Sequence, residues 1–352
     1  MSDDITRTTT PEDGETVDAA PVLDEAAFIK TAKRRSTLRI VAVAGALIAA
    51  VLVAILAGVI GWDRAFYEQA NHVREYYATL VSVSSPNTRL MWQGIPRSRF
   101  PGGVMEYAAY RRVGDVLIPA GEAFVEFNLW GSEETHGAAE RLAYAGSRKF
   151  SGNDLVPMLR FLEPAASGDA ATKTSPEVTD MAKQTLADLA SHTDSSLARL
   201  SAAPPSSTVE VAVSFGRTLT LKEVEGLVGP NLRLSWGATD AYPHPPVPFE
   251  PEYGQMVGVD FAPGDAPYLD FDAQGTAHQE KEGQLIESLG QIAQHAPKGT
   301  ADRCLASAAY LEKNGVRYFG IVVCGSPSAA LELAHRPGVT AVSLGAVVPP
   351  WQ

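Results

Sequence analysis

Positive charge is scarce in this sequence. Its 352 residues carry 29 Lys and Arg against 41 Asp and Glu, a formal net charge of −12. A nucleic-acid binder needs a basic face, so direct nucleic-acid binding is excluded for the chain as a whole. Catalytic signatures are missing as well. There is no GxSxG nucleophile elbow, no HExxH and no phosphate-cradling GxxxxGK[ST]. The seven histidines, at 72, 136, 192, 244, 278, 295 and 335, are scattered without ligand spacing. No enzyme activity, metal centre or cofactor is expected. Cysteine is limited to Cys304 and Cys324. Their meaning depends on the side of a membrane they occupy, because only an oxidising compartment favours a disulfide.

Charge is absent altogether from Ile40 to Trp62, IVAVAGALIAAVLVAILAGVIGW. At about 1.5 Å per residue this stretch spans roughly 34 Å as a helix, enough for a hydrocarbon core of about 30 Å. A buried helix of a soluble protein normally shows a polar face, and this one is apolar all round. A cleaved signal peptide has a shorter apolar stretch that starts near the N-terminus. Here 39 residues come first. The stretch therefore reads as a single transmembrane helix in contact with membrane lipid. Lys30, Lys33, Arg34, Arg35 and Arg39 precede it, and basic flanks stay cytoplasmic. Trp62, Phe66 and Tyr67 suit the opposite interface. The N-terminus is expected in the cytoplasm and the C-terminal part outside.

Residues 1–22 form the cytoplasmic tail. Its first twenty are acidic, Thr-rich and poor in large apolar groups, and read as disordered. Residues 23–39 read as a basic juxtamembrane helix, capped by Asp24 with Glu25 in the first turn. Two readings stay open for it. It is either a topology signal or a docking peptide that offers Phe28 and Ile29 as anchors beside Lys33, Arg34 and Arg35.

Beyond the membrane helix an α+β region spans 63–205. Helical spacing continues over 64–80, and SSPN at 84–87 breaks it. Strands are predicted at 89–94, 103–114 and 123–131, and helices at 151–160 and 176–200, the latter starting at Ser175-Pro176-Glu177. AAPPSS at 202–207 marks a boundary to a second α+β domain over 206–352. There TVEVAVSFG at 208–216 alternates as a strand does. TLKEVEGLVG at 220–229 is a short helix with Thr220 and Glu223 as a capping box. Strands at 231–242, 253–261, 316–325 and 340–348 and helices at 283–296, 301–315 and 326–337 complete it. The fold class is thus α+β, a transmembrane helix followed by an extracytoplasmic region that ends in a strand–helix–strand unit.

DFDAQG at 270–275 fits the opening of a calcium loop, with Asp270, Asp272, Gln274 and Gly275 in place. Its twelfth position needs a bidentate Glu but carries Lys281, so an EF-hand is rejected. Cys304 and Cys324 either form a disulfide or are two buried thiols. Trp92, Trp130, Trp236 and Tyr242 fit a core better than a binding groove.

The C-terminal part resembles the sigma factor regulator family, membrane-bound anti-sigma factors of bacteria. The resemblance rests on VAVSFGRTLTLKEVEGLVGPNLRLSWGATDAY (211–242) and RYFGIVVCGSPSAALELAHRPGVTAVSLGAVV (317–348). Upstream, EAAFIKTAKRRSTLRI (25–40) and the membrane helix resemble its N-terminal region. The resemblance implies that the cytoplasmic segment sequesters an extracytoplasmic-function sigma factor and that the outer domain senses the state of the envelope. The rival reading is an outward-facing binding or scaffold protein without sigma binding.

Overall fold

The computed structural model describes residues 25–92, 94–99, 101–128, 159–165, 176–242, 247–251, 256–261 and 278–350. The tail 1–22, the cap Asp24, the stretch 151–158 and the calcium-like 270–275 lie outside the described residues. The chain divides into two units, Met1–Arg64 and Ala65–Gln352.

Helix α1, Glu25–Ser84, is an unbroken element of 60 residues. In the N-terminal unit its Leu, Ile and Val side chains from Leu38 to Ile60 stay 57–66% exposed. Water tolerates scattered apolar side chains but not a continuous apolar surface on every side of a helix. This stretch is the one candidate membrane span among the described residues.

In the C-terminal unit the same helix changes character. Phe66, Ala70, Val73, Tyr77, Leu80 and Val81 are buried at helical spacing. The helix ends where Ser84 Oγ donates to the Leu80 carbonyl, and Asn87 takes a left-handed φ of 52°. Asn is among the few residues that tolerate that conformation. The predicted break at 84–87 is therefore built on Asn87.

A four-stranded antiparallel sheet follows: β1 (Thr88–Trp92), β2 (Arg97–Arg99), β3 (Gly102–Val113) and β4 (Val116–Asn128). β3 pairs with β1 and β2 on one side and with β4 on the other. Gly114, at φ 62°, and Asp115 close the β3–β4 hairpin. Sequence reading began this strand at 123 and left 115–122 unassigned. The hairpin draws those residues into β4, because Val113 pairs with Val116 and the ladder continues, with one register shift between Tyr110 and Ala109, to Gly102 and Asn128.

Helix α2 (Pro176–Ser201) begins on its proline. Then come β5 (Thr208–Leu219), α3 (Leu221–Val228), β6 (Leu232–Thr239), β7 (Gly258–Asp260), α4 (His278–His295), α5 (Lys298–Asn314), β8 (Tyr318–Gly325), α6 (Pro327–Ala334) and β9 (Val339–Val348). The second sheet runs β7-β6-β8-β5-β9 with every pairing antiparallel. β5 and β6 are therefore parallel with β8 between them, and β8 and β9 are parallel with β5 between them. This is the split βαββαβ topology of ferredoxin-like sheets, with α4 and α5 inserted before the third strand.

One face of this sheet packs Val211, Val213, Leu234, Ile321, Val323 and Leu344 against the helices. Leu285 and Leu289 of α4, Leu311 of α5 and Leu333 of α6 belong to that cluster, as do Phe66, Val73 and Leu80 of α1. The other face carries Ala212, Val322, Cys324 and Ser343. A bulge between Leu234 and Trp236 turns the Trp236 ring to this second face, against Phe161.

Two expectations need correction. Leu159 and Arg160, predicted to end a helix, belong to no helix. The Arg160 and Leu162 amides donate to Ser343 Oγ and Ser214 Oγ instead of to a helical turn. Of the strand predicted at 253–261, β7 takes Gly258–Asp260, paired with Trp236–Ala238, and Val257 and Phe261 add one main-chain bond each to β6 beyond its ends, whereas residues 253–255 lie outside the described residues.

Candidate sites: a basic helical segment and a buried ion-pair junction

Phe28, Ile29, Lys33, Arg34 and Arg35 all fall on the first turns of α1. At about 100° per residue, Arg35 and Arg39 line up with Phe28, Lys33 follows Ile29, and Lys30 and Arg34 take the remaining side. The cations form a collar around the helix and not a single face. Ile29, Lys30, Lys33, Arg34, Arg35 and Arg39 are all exposed, and Thr37 Oγ1 donates to the Lys33 carbonyl at 2.9 Å. The Phe28 side chain lies outside the described residues. Such a segment can meet an anionic surface from any side.

The C-terminal unit has a polar junction between its two sheets. Arg111 of β3 forks onto the Glu210 carboxylate of β5 through Nε, at 3.1 Å, and Nη2. Glu210 is fully buried and Arg111 nearly so. Asn87 Nδ2 donates to Glu210 Oε1 at 2.6 Å and to the Arg112 carbonyl at 2.8 Å. The Ala346 amide of β9 donates to Glu210 Oε2 at 3.2 Å. Gly345 keeps the pocket open, since a Cβ there would lie 2.2 Å from the carboxylate and 2.7 Å from the guanidinium. One carboxylate thus holds the helix-terminating turn, β3 and β9 together, and the charge-assisted bonds offset its burial. Sequence reading missed this junction. Glu210 sits on the polar side of an alternating strand, which reads as solvated.

A second buried carboxyl belongs to Glu163, whose main chain pairs in both directions with Phe249. Burial, with the Asp240 carboxylate nearby, pushes it up to about 8. Cys304 and Cys324 are free thiols. Cys304 packs on the helical face of the second sheet with Ile321 and Val323, whereas Cys324 lies on the opposite face with Val113 and Ala346. A disulfide would have to pass through β8. Cys324 Sγ instead accepts from Ser235 Oγ and donates to the Arg112 carbonyl, and burial with Glu210 nearby raises its thiol to about 11.

The remaining candidates disperse. His192 meets Ser343 Oγ at 2.9 Å, His278 meets Glu225 at 2.8 Å, and His335 meets the Leu331 carbonyl at 2.7 Å. His72 and His295 stack edge-on, ring centroids 3.8 Å apart. His136 and His244 lie outside the described residues. Among the described residues no three His, Cys, Asp or Glu side chains converge as metal ligands. Trp236 is buried in the core, Trp92 lies under the Arg74 guanidinium, Tyr242 is half-buried, and Trp130 lies outside the described residues.

Residues 26–118 match the family described as Sigma factor regulator N-terminal, and residues 200–346 match Sigma factor regulator C-terminal. The chain belongs to the sigma factor regulator family. Sigma factor regulators are regulatory proteins and not catalysts, their role is anti-sigma regulation, and their partner is a sigma factor. The N-terminal match runs from α1 through β3 and carries Arg111. The C-terminal match covers the second sheet up to Ala346 of β9 and carries Glu210. The buried ion pair therefore joins the two matched regions of the sigma factor regulator. No curated protein and no solved structure matches the chain.

Proposed function

We propose that this sigma factor regulator is a single-pass membrane protein that sequesters an extracytoplasmic-function sigma factor through residues 1–39. In this reading Phe28 and Ile29 are the apolar anchors, and Lys33, Arg34 and Arg35 supply charge. Residues 40–62 cross the membrane, and residues from about 63 onward lie outside and sense the envelope. The carrying observation is the family match over an N-terminal region whose helix leaves its apolar side chains uncovered on every side. The basic collar before that helix supports a cytoplasmic N-terminus. Deleting residues 1–39, with a substitute basic flank to keep topology, is expected to derepress a promoter that depends on the partner sigma factor. Residues 1–39 used as bait are expected to retain that sigma factor. An unchanged promoter together with an empty bait would favour the scaffold reading.

A further inference from the structure

The chain is acidic as a whole, yet its C-terminal unit gathers three arginines where the two sheets meet. Arg89 of β1 pairs with Tyr110 of β3, so Arg112 is its diagonal neighbour on the same face. Such neighbours lie about 7–8 Å apart, within reach of each other's long side chains. Arg233 of β6 approaches from the second sheet. It stands opposite Cys324 of β8, whose Sγ donates to the Arg112 carbonyl at 3.7 Å. Its Nη1 lies 3.7 Å from Asp115 Oδ1 in the turn after β3. Arg112 reaches the same turn, where its Nε donates to the Gly114 carbonyl at 3.3 Å.

Three positive charges here face two negative ones, and the two are unequally held. Asp260 is committed, since its Oδ2 accepts from Arg89 Nε at 3.1 Å and from Nη2 at 2.7 Å. Asp115 is 85% exposed and sits beyond hydrogen-bond distance of Arg233. Arg112 is half-buried, and its two terminal nitrogens make no hydrogen bond among the described residues. Burial, with the Arg233 and Arg89 guanidiniums nearby, pulls its ionisation down. An anion between these groups turns their repulsion into attraction.

The cations are all arginine, and that selects the ligand. A guanidinium offers parallel N–H donors that match the oxygens of a phosphate or a carboxylate. A carboxylate brings one charge and two oxygens. A phosphate monoester brings nearly two charges and three oxygens, so it serves Arg112 and Arg233 at once.

We propose that Arg112 and Arg233, with Arg89 beside them, bind the phosphate group of a phosphomonoester or of free phosphate, which displaces Asp115 from Arg233. The proposal does not depend on the sigma-factor reading, since binding is measured without any sigma factor.

The test dialyses the full chain, in neutral detergent micelles, to equilibrium against radiolabelled inorganic phosphate. Saturable binding of one phosphate per chain is expected. Arg112→Gln and Arg233→Gln are each expected to weaken it about tenfold, the loss of one charge-assisted contact. Asp115→Asn, a change in an exposed turn, is expected to tighten it about threefold, because the carboxylate that competes for Arg233 is gone. Dimethyl phosphate, with a single charge, is expected to compete about tenfold more weakly than phosphate. Phosphatidic acid added to the micelles separates the sources of the group. Displacement of the label assigns it to a lipid headgroup, and undisturbed binding assigns it to a soluble phosphate. The absence of saturable binding by the wild type overturns the proposal. So does an Arg112→Gln protein that binds as tightly as the wild type, or an Asp115→Asn protein that binds no tighter.

Discussion

Glu163 shows what a single buried side chain does to the whole chain. Its carboxyl ionises near 4.5 in the unfolded chain but only at about 8 in the fold. The folded state therefore holds a proton that the unfolded state has lost. Stability linked to this group is fully present below pH 4.5 and falls as the pH rises toward 8. The loss is expected to reach about 3 kcal/mol, from roughly 1.4 kcal/mol per pKa unit discounted for relaxation around the charged form. Urea midpoints taken from about pH 5 to about pH 8.5 measure it, and Glu163→Gln is expected to flatten that dependence. A wild type as stable at about pH 8.5 as at about pH 5 would show that Glu163 titrates normally.

Local signals were readable wherever an element depends on its own residues. In α3 the Glu223 carboxylate accepts the Thr220 amide at 2.8 Å, and Thr220 Oγ1 accepts the Glu223 amide at 3.4 Å, which is the capping box expected from TLKE. Hydrogen bonds from the Thr220 amide, Arg217 and the Thr220 hydroxyl hold that carboxylate down to about 2. β8 shows the opposite case. The sequence left the state of Cys304 and Cys324 open, and the alternation of β8 turns Cys324 to the face of the sheet away from α5, which carries Cys304. Maleimide is expected to label two thiols per chain after denaturation without reductant, and Cys324 is expected to stay protected in the native protein. Labelling that appears only after reduction would establish a disulfide and contradict this placement.

At the scale of the whole molecule, the Arg111–Glu210 pair ties the two sheets of the C-terminal unit and the two matched family regions. Removing one partner leaves the other charge buried and uncompensated. Glu210→Ala is expected to cost about 3–5 kcal/mol, whereas the paired replacement Arg111→Met with Glu210→Leu is expected to cost far less. Urea unfolding of the full chain in detergent, run on the two variants in parallel, separates the cases. A Glu210→Ala protein with a wild-type midpoint would mean that the junction adds nothing to stability.

The sequence by itself determined the features that need only neighbours along the chain. These are the uncharged run of α1, its break at Asn87, the proline start of α2, the cap of α3 and the alternation of β5. Tertiary structure decided what covers each face. The period of a strand shows that two faces differ but not what lies against either. In β5, Val211 and Val213 are buried on one side, and Glu210, Ala212 and Ser214 are just as buried on the other. Glu210 reads as solvated in sequence because its partners Asn87, Arg111 and Ala346 lie 99 or more residues away.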